Sequence, residues 1–252
     1  MHNLLAGATL FISLACATTA SAVTIQTGDT THPWQTWADT AQAPTWDGTL
    51  PLTVNPGYVN CGGFDDADGC TSYIPAVDQT TGQILPGPPA SITTQVNSAD
   101  DPLTTFYHEL GQVFWIEYMT PATETQFMQI VGLAGDSTNW SNWTYHRTVN
   151  GVVLTFPPFE WFAEAYRLCA TYGINQPAGT NSVEGLGYPG IEAWFAARQR
   201  QACALIDQVG VDSGITVPVQ ATYPAAKHIK VKIARHRRGP RIVTGWGRRR
   251  VW

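Results

Sequence analysis

The stretch "FYHELGQVFWIEY", Phe106 to Tyr118, decides how this chain is read. Just upstream, Asp101 followed by Pro102 marks a helix start: a capping carboxylate with proline in the first turn. Downstream, Thr120 precedes Pro121 and is pushed out of helical geometry, so a helix is predicted over 102–119. Within it Leu103, Phe106, Tyr107, Leu110, Val113 and Phe114 form an apolar stripe that faces a core. His108, Gln112, Trp115 and Met119 fall on a neighbouring face at spacings of four, three and four. A histidine one turn from an amide is either a pocket wall or a satisfied pair inside the core.

The same punctuation places three further helices. Thr120-Pro121 opens one that runs to about Val131 before Gly132, and Pro157-Pro158 opens another that runs to about Tyr172, with Gly173 as its stop. A fourth is predicted from Ile191 to Val209, ending at Gly210. Between Trp140 and the third helix lie Trp143, Tyr145 and a β-prone "GVVLTF". From Val23 to about Ala99 the sequence is rich in Thr, Pro, Gly and Asp and has no helical-period stripe longer than a turn, so it reads as loops with a few short strands such as "LPLTV" and "SYIPAV". The expected fold class is α+β: a mostly helical motif region behind a loop-rich N-terminal part with a few short strands.

The third helix, "PPFEWFAEAYRLCATYG", carries Glu160 and Glu164 one turn apart. Phe159, Phe162, Ala163, Tyr166 and Ala170 make its buried side. Two carboxylates at that spacing repel, so a cation or hydrogen-bond donors are expected beside them.

Taken together, His108-Glu109 with Gln112 on one helix and "EWFAEAYR" about fifty residues later resemble zincin metallopeptidases. These complete a His-Glu-x-x-His site with a Glu from a downstream helix, and include the lethal-factor-type peptidases with an E-x-F-A-E-A-[FY] motif. "FYHELGQVFW … PPFEWFAEAYRLCA … ACALI" is also similar to secreted bacterial proteins, mostly of unassigned function, that carry H-E-L-G-H-x-F-D at this place. The resemblance covers about Cys61 to Val209. It implies a zincin-like fold with His108 and Glu160 as zinc ligands, Glu109 as the general base acting on a metal-bound water, and Glu164 orienting an imidazole or water behind the metal.

The pattern is broken twice. Gln112 stands in the corner of the second histidine, and Trp115 stands where the related proteins have Asp. A neutral amide suits hard cations better than zinc. With roughly 10 to 16 kcal/mol of structural-zinc affinity spread over four ligands, losing one strong ligand costs on the order of 3 kcal/mol, about a hundredfold. The expectation is a degenerate site, weakly active or inactive, with zinc binding weakened and the cleft between the two motif helices kept as a surface for a peptide or protein. The alternatives are an active zinc-dependent peptidase completed by Gln112 or by another histidine, such as His146 or His32, and an envelope-associated binding protein acting through its tail.

The first residues, "MHNLLAGATLFISLACATTASAV", hold an apolar run too short to span a bilayer, followed by Ala20-Ser21-Ala22, so residues 1–22 read as a signal peptide and the mature chain as secreted, without a membrane span. Removing the leader also removes Cys16. Cys61 and Cys70 bracket a glycine-rich loop and are paired, which leaves Cys169 with Cys203; loops of about ten and about thirty-five residues stabilise by roughly 2.5 to 4 kcal/mol each. "DDADG" in the first loop and the two Asn-x-Ser/Thr sequences at Asn139 and Asn142 read as turn chemistry. Before position 227 there are four basic and all nineteen acidic residues, a net −15, whereas residues 227–252 carry ten basic residues and no acidic ones. The body is therefore expected to span 23–226, followed by a flexible basic tail. Such a tail either binds an anionic envelope polymer, lipid head group or nucleic acid, or folds back on the acidic body.

Overall fold

Ten consecutive residues, Thr105 to Phe114, are buried, so the helix that carries them is packed on every side rather than along one stripe. The computed structural model describes residues 23–62, 64–85, 88–177, 179–180, 186, 188, 191–215 and 217–218; the leader expected over 1–22 and the tail expected over 227–252 lie outside them. In chain order the elements are β1 (Thr24–Gln26), α1 (Trp34–Thr40), β2 (Thr49–Asn55), β3 (Val59–Cys61), β4 (Phe64–Ala67), β5 (Gly69–Ile74), β6 (Ser91–Asn97), α2 (Pro102–Tyr118), α3 (Pro121–Val131), β7 (Arg147–Val149), β8 (Val152–Leu154), α4 (Pro158–Tyr172) and α5 (Glu192–Asp212). The fold is α+β, as the sequence implies.

Four strands form a mixed sheet in the order β1-β2-β6-β5, with β1, β2 and β6 parallel and β5 antiparallel to β6. β2 pairs with β1 through Thr49–Pro51 and with β6 through Leu52–Asn55. Pro51, which has no N–H to give a ladder, sits where the strand changes partners. Leu50 and Leu52 of β2 and Ile92, Thr94 and Val96 of β6 are buried at every second residue, the period of a sheet with one covered face. α2 packs on β5 and β6, α4 packs on α2, and α5 packs on α3 and α4. One hydrophobic cluster runs through these layers, from Val23 to Ile215.

The helix ends follow the predicted signals. The Asp101 side chain accepts from Thr104 N with Pro102 in the first turn. Thr120 and Thr123 cap α3 reciprocally, and Gly132 closes it in the left-handed region at φ 71°. α4 starts at Pro158 and ends before Gly173. Two readings are corrected. The stretch read as loops and strands alone also contains α1, whose Trp34 and Ala38 are buried; its seven residues are too short for a periodic stripe to register. α5 runs through Gly210 to Asp212, because that glycine is there for close packing: an added Cβ would lie 2.8 Å from the Pro44 ring.

Both expected disulfides are present, Cys61–Cys70 joining β3 to β5 and Cys169–Cys203 joining α4 to α5. Among the described residues no helix is long and apolar enough to cross a membrane. "DDADG" forms β4 and the turn into β5, and Asn142 accepts from the N–H and hydroxyl of Thr144, a local turn.

The distance between α2 and α4 is set at Gly111. A Cβ there would meet Tyr166 Cβ at 2.9 Å and Ala163 Cα at 3.0 Å, and neither can swing aside. Gly111→Ala is expected to lower the unfolding free energy by about 1–3 kcal/mol through overpacking, despite alanine's better helix propensity, read as a lower urea midpoint at unchanged slope.

Candidate functional site

Close approach at Gly111 carries His108, one turn before it, against α4. The imidazole lies between the two glutamates of that helix: Nδ1 is 2.9 Å from Glu164 Oε1 and Nε2 is 3.1 Å from Glu160 Oε2. Gln112 Nε2 is 3.3 Å from His108 Nε2. On the far side, Nε and Nη2 of Arg167 both lie 2.9 Å from Glu164 Oε2. Exposure is 2% at His108, 3% at Glu160, 5% at Glu164 and 8% at Gln112, so the carboxylate pair that spacing alone would allow on a wetted face is inside the protein.

Burial penalises charge on His108, but the hydrogen bonds it donates to Glu160 and Glu164, with their negative charges, outweigh it and raise the ring's pKa to about 10. Burial also works against the Glu164 carboxylate and is outweighed by His108 and Arg167, which hold it below the usual range. The result is a sequence of alternating charges, Arg167, Glu164, His108 and Glu160, with a carboxylate on each ring nitrogen. A ring protonated at both nitrogens has no lone pair for the Gln112 N–H; turning the amide end over would bring its oxygen to that corner.

Glu109 points the other way, toward the sheet. Its Oε2 accepts from Thr71 Oγ1 of β5 at 2.7 Å, Oε1 is buried without a hydrogen-bond partner, and the side chain is wholly enclosed. Burial raises its pKa to about 7, against the opposing charge of His108 and the Thr71 bond. Gly69 makes room for it, since a Cβ at that position would stand 2.4 Å from Glu109 Oε1.

Beside the network is a cleft of about 380 Å³. Gln112 and Glu160 lie on its floor, Thr71, Ser72 and Tyr73 of β5 form one wall, and Trp115, Trp143 and Phe159 another. Trp115 lines this cleft rather than plugging it: its ring stacks on Phe159 at 5.2 Å and its N–H donates to Glu124 at 2.9 Å. Trp143 meets Phe159 edge-on at 5.6 Å and remains 40% exposed.

Four of the five residues singled out from the sequence, His108, Gln112, Glu160 and Glu164, thus come together, while Glu109 sits adjacent with its carboxyl turned to β5. His32 is engaged with Asp29 in the turn before α1, and His146 is exposed before β7, so the network includes neither. Thr71 and Gly69 were not legible in the sequence, being about forty residues from Glu109. Arg167, the cation beside Glu164, was not singled out, although its place three residues later is the spacing of an ion pair.

Comparison with protein-family models, with curated proteins and with solved structures finds no match to this chain. The residues must therefore speak for themselves on metal. A metal-binding imidazole has to give up a proton, and here its two nitrogens face carboxylates, Glu160 at the corner shared with Gln112 and Glu164 on the other side. Gln112 adds only a neutral amide. Among the described residues no group of three or more His, Cys, Asp and Glu side chains is arranged to hold an ion. The groups that face one another at this corner are one imidazole, one carboxylate and one neutral amide.

The raised pKa values of His108 and Glu109 and the lowered one of Glu164 set the expected pH response. His108 keeps its proton to about pH 10 in the fold against an ordinary 6.5, so its stabilisation is complete below 6.5 and is lost as pH rises through 10. Glu109, raised from 4.5 to about 7, also loses stability for the fold as pH climbs through that interval, whereas Glu164 is depressed and its contribution disappears only as pH falls below 4.5. Stability is expected to peak near pH 5 and fall toward alkaline pH, by urea unfolding across pH 4 to 10. Glu109→Gln is expected to flatten the part between about pH 5 and 7. Replacing His108 by Ala, which strands two buried carboxylates, is expected to cost about 3–5 kcal/mol at pH 6 in the same assay.

Proposed function

We propose that this chain is an exported zincin-like domain whose metal site has degenerated, leaving it weakly active or inactive as a peptidase, and whose cleft persists as a binding surface for a peptide or protein segment. The observation that carries this reading is the convergence of His108 Nε2, Glu160 Oε2 and the Gln112 amide on one buried corner, with Glu164 on the opposite ring nitrogen. That is the arrangement the motif resemblance implies, with an amide in the place of an imidazole. Where the related proteins would hold a metal, the proton on His108 supplies the positive charge between the carboxylates.

Several features fit the non-catalytic form. Glu109 would have to present its carboxylate at the metal corner to act as a base, and instead it is turned toward β5, where it accepts from Thr71 in the space that Gly69 leaves open. The cleft keeps both kinds of contact a peptide needs: an aromatic wall of Trp115, Trp143 and Phe159, and polar groups from Ser72, Gln112 and Glu160. Export agrees with the two disulfides, which belong to oxidising compartments.

Gln112→His restores the missing ligand and is expected to raise zinc affinity about a hundredfold over the parent, measured by competition with a chromophoric chelator. Unchanged affinity would show that the two helices do not form the proposed corner. Stoichiometric zinc in the parent protein purified without chelator, lost on replacing His108 or Glu160 by Ala, would instead establish a working metal centre and overturn the degenerate reading.

A further inference from the structure

A second cavity, of about 490 Å³, adjoins the cleft and shares Tyr73, Trp115 and Ile116 with it. One of its walls is the outer part of the β5–β6 hairpin. There Leu85 N donates to Ala76 O and Ala90 N to Ile74 O, both at 2.8 Å, and Val77 bridges Ile84. The facing wall comes from Met119 at the end of α2 and Glu124 in the first turn of α3. Backbone bonds on one side and helix ends on the other make the cavity preformed, and its volume is that of a small-molecule pocket.

Glu124 is the one charged side chain among the described residues that line it. Its Oε1 accepts from Trp115 Nε1 at 2.9 Å, and burial pushes its pKa upward against that bond. Among the described residues Glu124 takes part in no ion pair, and Oε2 has no hydrogen-bond partner. Cations are scarce in the body. Of the four Lys or Arg side chains before position 227, Arg167 pairs with Glu164 and Arg198 lies over the Trp194 ring.

Beside this half-desolvated carboxylate lies hydrocarbon that nothing covers. Ile84 is 70% exposed, Tyr73 51% and Leu85 44%. A neutral apolar ligand would cover these side chains but desolvate Glu124 further, and a fatty acid would add a like charge. An ammonium ion on a hydrocarbon body meets both needs, since the Trp115 and Tyr73 rings also attract a cation.

We propose that this cavity binds a small amphipathic amine, whose ammonium group donates to Glu124 Oε2 beside the Trp115 and Tyr73 rings and whose hydrocarbon body covers Ile84 and Leu85. The excess of acidic residues in the body, nineteen against four basic before position 227, draws such cations toward it. The site uses neither the metal corner nor the floor of the cleft, so it stands or falls independently of the peptidase-like reading.

The test is calorimetric titration of the full chain at pH 7 with octylamine, octanol and octanoate, each below its micelle concentration. Octylamine is expected to bind about tenfold more tightly than octanol, with octanoate weakest. Glu124→Gln keeps an oxygen for the Trp115 N–H, and is expected to weaken octylamine about tenfold while leaving octanol within about twofold. Ile84→Ser, at a position too exposed to disturb folding, is expected to weaken both ligands by about threefold. The comparison of amine with alcohol needs no variant: octylamine that binds the parent no better than octanol, or not at all, would overturn the proposal. So would a Glu124→Gln protein that binds octylamine as tightly as the parent, which would place the amine elsewhere.

Discussion

The structure depends on a set of alternating charges buried where two helices touch. Arg167, Glu164, His108 and Glu160 alternate in charge, the last three buried and Arg167 part-buried beside them. Desolvating any one of them alone costs several kcal/mol, so the arrangement is tolerable only when each group meets its neighbour at hydrogen-bond distance. Gly111 makes that distance attainable by letting α2 and α4 approach at their backbones. The helix contact and the charge network therefore depend on the same close approach of α2 and α4.

From this constraint follows the character of the cleft. Its floor is made by the side of Glu160 and Gln112 that the network leaves uncovered, held still by bonds on the other side. A carboxylate fixed in this way offers a directional acceptor with little conformational entropy left to lose on binding. The aromatic wall above it is fixed as well, because Trp115 is stacked on Phe159 and tethered to Glu124. Polar floor and apolar wall are both preorganised.

Much of the helical half was legible in the chain because its signals are local. Asp101-Pro102, Thr120-Pro121, Pro157-Pro158 and Gly173 act within a turn of the boundaries they set, and the glycine-rich loop between Cys61 and Cys70 paired those two and left Cys169 with Cys203. The pairing of His108 with Glu160 and Glu164 was legible only by putting two distant motifs side by side. What could not be read was the set of contacts that reach across the fold without any local pattern: Thr71 and Gly69 around Glu109, and the short α1 whose Gln35 seals one sheet edge. The full burial of α2 was likewise hidden, since an apolar stripe reveals one packed face and is silent about a second one filled by charges.

The hairpin of β3 and β4 has a small core of its own, Val59, Ala67 and Cys70, separate from the main cluster. Three buried side chains are a thin anchor, and the Cys61–Cys70 bond is what fastens this hairpin to β5 along one flank of the cleft. Rigidity on that flank is thus covalent where elsewhere it is a matter of packing. A reductant acting on this one bridge would slacken that flank of the cleft selectively, while the helices and the charges between them kept their places.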